Sequence, residues 1–145
     1  MVVAGHLRDP QGLRRLAREL GLADRVEFTG FVPGERLLAT MAGADLFVMP
    51  SFYEGFGFPV LDAQLLRVPV ACSARGALPE IAGDGAAFFD PDDDSAMADV
   101  MLGPLTDRGT RDTLAEAGWS NAGRFSWART ARTMLALYRE MAHRD

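Results

Sequence analysis

The sequence contains no lysine: all 15 of its basic residues are arginine. That absence excludes a phosphate-binding loop ending in Gly-Lys-Ser/Thr, a Schiff-base lysine and a lysine general base. Cysteine occurs once, at Cys72, so no internal disulfide can form, which fits a reducing cytoplasm. No apolar run approaches the ~18 residues of a transmembrane helix. The opening Met-Val-Val-Ala-Gly-His lacks the basic segment and apolar core of a signal peptide. Positive charge is not in excess either. A net charge of −5 argues against a nucleic-acid partner, whose binding rests on neutralising phosphates. The longest acidic run, Asp90 to Asp94 around Pro91, reads as a turn and helix cap rather than a metal site.

What the sequence does contain is a regular alternation. With 145 residues and 48% hydrophobic content, it suffices for one domain around one core, residues 1–145. Short apolar runs alternate with amphipathic stretches, the pattern of an α/β domain with a parallel sheet. Strands are expected at residues 2–5, 26–28, 46–49, 68–72 and 86–89. Helices are expected at 10–20, capped by Asp9 and stopped by Gly21, then at 34–41 and at 59–66. After Pro91 the pattern is helical only, over 95–102, 108–122 and 127–142, the last capped by Ser126.

The stretch that carries chemistry is Glu54-Gly55-Phe56-Gly57-Phe58-Pro59-Val60-Leu61-Asp62. It follows a buried strand and opens a helix, which places it at the carboxyl ends of the strands, where ligands bind in open α/β sheets. Gly55 and Gly57 allow close approach of the backbone. Pro59 at the first helical position leaves free N–H groups and the positive end of the helix dipole facing a phosphate. The carboxylates would repel a phosphate but suit hydroxyl groups. Asp62, one turn into the helix, leans back toward its start and reaches a ribose. Glu54, on the other side of the loop, reaches a sugar. Polyol, phosphate and polyol in that order describe a nucleotide sugar.

In these residues the chain resembles the retaining glycosyltransferases of GT-B fold, the large family that includes sucrose synthase and bacterial mannosyltransferases. Further landmarks are Val26-Glu27-Phe28-Thr29-Gly30-Phe31-Val32, Ala44-Asp45-Leu46-Phe47-Val48-Met49-Pro50-Ser51, Leu78-Pro79-Glu80-Ile81 and Phe125-Ser126-Trp127. The resemblance implies the second half of that fold: a doubly wound, mostly parallel Rossmann-like sheet with C-terminal helices. It implies Glu54 as the catalytic-site residue holding donor-sugar hydroxyls, with the backbone of Gly55, Phe56, Gly57 and Phe58 at sugar and phosphate. Position 62, a glutamate in the family, holds ribose hydroxyls there; Asp62 keeps the charge but is one methylene shorter. The backbone near Phe31 and Val32 meets the base. The donor is a substrate, and no cofactor or metal is implied.

Against that pattern, the acceptor domain, the first strand of the donor domain and the arginine and lysine that neutralise the diphosphate are missing upstream. Charge-assisted hydrogen bonds contribute roughly 1.5–3 kcal/mol each, so two fewer weaken binding by about two to four powers of ten. The expectation is weak donor binding and no transfer by this chain alone. The strands at Val2 and Leu46, which would flank the first strand, are expected to pair directly, exchange in a dimer, or pair with the missing domain or a companion polypeptide. The expected location is the cytoplasm, with peripheral attachment to the inner face of the membrane as an option. Two alternatives stand beside the transferase: a noncatalytic interaction module left from such an enzyme, and a nucleotide-sugar epimerase of the same fold. Glu80 reads as a capping residue, His6 as a surface histidine at a strand end, and His143 as a helix-end partner. Trp119, Phe125 and Trp127 read as helix packing.

Overall fold

The computed structural model describes residues 1–142, so His143 lies outside the described residues. The chain divides into two compact units, Met1–Thr40 and a second unit from Met41 onward. Hydrogen bonding divides the five strands into two parallel sheets, one in each unit. Of the three options for the Val2 and Leu46 strands, direct pairing is not among the ladders of the described residues.

The first unit is one β-α-β crossover. β1 (Val2–Ala4) pairs with β2 (Glu27–Gly30), with Val2 opposite Glu27 and a register shift between Val3 and Ala4. Between them runs α1 (Pro10–Glu19), whose start follows from Asp9: its carboxylate accepts from the Gly12 N–H at 2.8 Å. Gly21, at φ +68°, ends the helix region in the left-handed conformation that glycine adopts freely. Arg14 ties α1 to β2, donating to the Phe28 carbonyl at 3.2 Å with its guanidinium over the Phe28 ring. α2 (Gly34–Ala42) follows β2.

The second unit holds most of the buried core. β3 (Phe47–Met49), β4 (Val70–Ser73) and β5 (Ala87–Phe89) form a parallel sheet in the order β3-β4-β5, with Phe47 opposite Val70 and Ala71 opposite Ala87. A central parallel strand is covered on both faces, and all four residues of β4 are buried accordingly. Its helices are α3 (Phe58–Leu65), α4 (Leu78–Ala82), α5 (Asp94–Thr106), α6 (Arg108–Ala122) and α7 (Trp127–Ala142). The caps foreseen near the C-terminus form: Asp93 accepts from the Ala96 N–H, and Ser126 from the Arg129 N–H. α5 runs four residues past the expected end, through the buried Pro104. Only its last turn follows that proline, where the Asp107 N–H bonds the Gly103 carbonyl.

Helices α3, α4 and α6 are joined by a buried polar network. Gln64 is 0% exposed; its Nε2 donates to the carbonyls of Ala82 at 3.0 Å and Gly85 at 3.1 Å. Its Oε1 accepts from Asn121 Nδ2 at 2.8 Å, and that same nitrogen donates to the Ile81 carbonyl at 2.8 Å. Arg124 Nη1 completes the set by donating to Asn121 Oδ1 at 2.7 Å. Every amide atom of the buried pair is satisfied, which is the condition under which a buried polar pair rigidifies rather than destabilises. Cys72 sits nearby in β4 as a small hydrophobe, its thiol pushed up to about 12 by burial. Only the thiolate is nucleophilic, so Cys72 is expected to resist a thiol reagent until the chain unfolds. Rapid labelling of the native chain would contradict this burial.

Candidate functional site

The loop between β3 and α3, residues 50–57, emerges at the carboxyl edge of the second sheet. Glu54 is half-buried there, and Ser51 Oγ donates to its Oε1 at 2.9 Å. The loop after β4 supports the same residue from below. Gly76, at φ +61°, comes so close that a Cβ would stand 3.0 Å from the Glu54 carbonyl oxygen, and the Ala77 N–H donates to that oxygen at 3.2 Å. Ser51, Gly76 and Ala77 therefore position Glu54, and sequence reasoning did not single them out in that role. The i, i+3 spacing of Ser51 and Glu54 is a readable sign of a local hydrogen bond; the reach of Gly76 is not.

The two loop glycines do different things. Gly55 is exposed, with nothing within 4 Å of where a Cβ would be, so its backbone is open to a ligand. Gly57 is buried at φ +96°, and its Cβ position falls 2.6 Å from Leu78 Cδ2. Packing and backbone conformation by themselves require glycine there. The helix also starts one residue earlier than expected, at Phe58, with Pro59 second. Pro59 has no N–H, and the Val60 N–H donates to the Gly57 carbonyl at 3.0 Å. The amide at Phe58, rather than those after Pro59, is the donor the helix start offers.

Phe56 and Phe58 belong to an aromatic cluster. Their ring centroids are 4.6 Å apart; Phe56 meets Phe125 edge-on, and Phe58, 54% exposed, stacks on Trp127 at 6.3 Å. Phe56 also packs against the buried trio Leu61, Ile81 and Ala122. The packing reading holds for Phe125, which lies against the same buried trio; Trp127 is 78% exposed, and Trp119, 45% exposed, lies under the Arg67 guanidinium at 4.1 Å.

Asp62 lies one turn into α3, half-buried, and burial raises its carboxyl above the ordinary 3.8. A carboxyl that ionises later in the folded chain favours folding below that value. The contribution is lost as pH rises through the folded pKa. Asp62→Asn is therefore expected to raise Tm at pH 7 and leave it unchanged near pH ~3; thermal melts at the two pH values check this. A lower Tm at pH 7 would mean that Asp62 has a stabilising partner.

In the first unit, Phe31 and Val32 follow β2. Phe31 is 69% exposed, its ring stacked on His6 at 5.6 Å. Both residues line a shallow groove of about 260 Å³ with Glu27, Thr29, Arg36 and Thr40. Glu80, read as a cap, makes no side-chain cap bond; α4 follows its N-cap residue Ala77 without one. Asp90 and Asp92 have the turn and pairing duties described below. Among the described residues, no group of three or more His, Cys, Asp or Glu could hold a metal ion, and no helix is long and apolar enough to cross a membrane.

Parallel strands flanked by helices, with a polar loop at the carboxyl edge opening a helix, define an α/β protein of the Rossmann-like class. Residues 1–120 match the family model described as Glycosyl transferases group 1, and the chain belongs to that family. It is 39% identical over 114 residues to O-antigen chain mannosyltransferase B of Escherichia coli, covering 79% of this chain and 30% of that protein. It is 38% identical over 134 residues to D-inositol 3-phosphate glycosyltransferase of Mycolicibacterium smegmatis, covering 91% and 30%. Its fold matches sucrose-phosphate synthase from Thermosynechococcus elongatus with a TM-score of 0.83 at 28% identity, over 99% of this chain and 39% of that one. A fold match to Anabaena HepE, solved with UDP and glucose, has a TM-score of 0.82 at 24% identity, over 97% and 40%. The chain thus spans about a third of the length of the curated relatives it matches.

Proposed function

We propose that the chain is the nucleotide-sugar-binding part of a retaining glycosyltransferase that moves a glycosyl group to a hydroxyl acceptor. The observation that carries this reading is Glu54 itself, fixed by Ser51 and by the loop after β4, beside an open-faced Gly55 and the start of α3. An anchored carboxylate is an acceptor for sugar hydroxyls. The Gly55 backbone and the Phe58 amide face the diphosphate, which departs as the leaving group as the acceptor oxygen bonds to the anomeric carbon, the acceptor's proton passing to the departing diphosphate oxygen. Asp62 accepts from the ribose hydroxyls. The donor is a substrate, and the proposed reaction uses no cofactor or metal.

Because the chain spans about a third of its relatives, it is expected by itself to bind donor weakly and to transfer nothing. The acceptor would be bound by the remainder of the enzyme or a companion chain. The outer edge of β3, which pairs with no strand among the described residues, is proposed to pair with a further strand, from that remainder or from a second copy. We place the protein in the cytoplasm, at the inner face of the membrane when its acceptor is a lipid. The test of donor binding is a calorimetric titration with UDP-, GDP- and ADP-sugars, repeated on Glu54→Gln and Asp62→Ala. Saturable binding weakened by both substitutions supports the site; binding untouched by either refutes it.

A further inference from the structure

Arg75 connects the loops at the carboxyl ends of all three strands of the second sheet. It follows β4, and its Nη2 donates to Asp90 Oδ1 at 2.8 Å and Asp92 Oδ2 at 2.5 Å, both in the loop after β5. Its guanidinium carbon stands 5.9 Å from the centre of the Phe52 ring, in the loop after β3. Asp90 is itself set in place, because its Oδ1 accepts from the Asp92 N–H at 3.1 Å. One residue along, Gly76 abuts the Glu54 backbone. A guanidinium suits this junction: it is planar and always charged, so its edge bonds carboxylates while its face lies on a ring.

Solvent-accessible ion pairs contribute little to global stability, and the Arg75 side chain is 40% exposed with its two partners more so, so its convergent contacts are better explained locally. We propose that Arg75 is a positioning residue: tethered by Asp90 and Asp92, it pins Phe52 and thereby sets the loop that presents Glu54 to the donor sugar. The sugar half of this statement rests on the donor-site reading above. The loop half rests on geometry alone.

Hydrogen exchange of the 145-residue chain tests the loop half. In Arg75→Ala, and in the double variant Asp90→Asn/Asp92→Asn, peptides covering residues 50–56 are expected to exchange about fivefold faster, the effect of losing a local tether, with β4 and α3 unchanged. Arg75→Lys, which keeps charge but not the planar face, is expected to fall between. Equal loop exchange in wild type and Arg75→Ala overturns the proposal. The sugar half is read from affinities for UDP-glucose against UDP and for GDP-mannose against GDP. Arg75→Ala is expected to lower the sugar-nucleotide to nucleotide affinity ratio by about three- to tenfold, leaving the free nucleotide unchanged. A merely structural role would weaken both equally and overturn the proposal, as would a looser loop with an unchanged ratio. If wild type binds none of these compounds, the donor-site reading and the sugar half fall together, while loop exchange still decides the role of Arg75.

Discussion

Glu54→Gln is expected to weaken sugar-nucleotide binding by between about tenfold and a hundredfold, the worth of one charge-assisted hydrogen bond. Affinity for the free nucleotide should stay within about twofold, since the carboxylate is assigned to the sugar. The amide keeps an oxygen for the Ser51 hydroxyl, so the loop keeps its hydrogen bond and the loss falls on the charge. Gly55→Ala provides the matching control. A methyl there meets nothing within 4 Å, so stability should move by less than ~0.5 kcal/mol while binding suffers from the closer wall. Titrations and thermal melts of the two variants separate binding from folding. Equal loss of nucleotide and sugar-nucleotide affinity in Glu54→Gln would contradict the assignment.

Gly85→Ala should have the largest effect on stability. Its Cβ would stand 2.5 Å from the Gly118 Cα and 2.7 Å from Gln64 Nε2, so the turn at Gly83–Gly85 must part from α6 or Gln64 must give up its bonds. Backbone cannot yield as a flexible side chain does, and a buried amide left unbonded adds its own penalty. A loss of about 3 kcal/mol or more is expected, with Tm falling by about 10 °C or more. A Tm within a few degrees of wild type, on the order expected of surface changes, would show that α6 packs less tightly on that turn.

Much of this organisation is legible in the sequence because it is local. Asp9-Pro10 and Gly21 bracket α1, and Ser126 caps α7, each through bonds spanning a few residues. β4 shows as an apolar run because a strand covered on both faces has no polar side. The Glu54 loop is visible through its glycines and its place between strand and helix. What escapes the pattern is contact between distant segments. Gln64 and Asn121 lie 57 positions apart and look like surface amides until α3 and α6 pack together. Gly57 looks like a ligand-facing glycine; only the fold brings Leu78 against it. Likewise Arg75, Asp90 and Asp92 read as loop charges until the strands set their three loops side by side. The division of the strands into two sheets depends on which ladder bonds form, and periodicity within a strand carries no sign of that.

Amide NMR of the labelled chain titrated with UDP-, GDP- and ADP-sugars tests most directly whether the Glu54 loop is the donor site, because shifts register binding far too weak for calorimetry. Saturable shifts are expected for one of the three, concentrated in residues 51–62 and 74–77, and smaller with the free nucleotide at Glu54 and Gly55. Saturable shifts elsewhere with this loop silent, or no response to any of the three, would contradict the account.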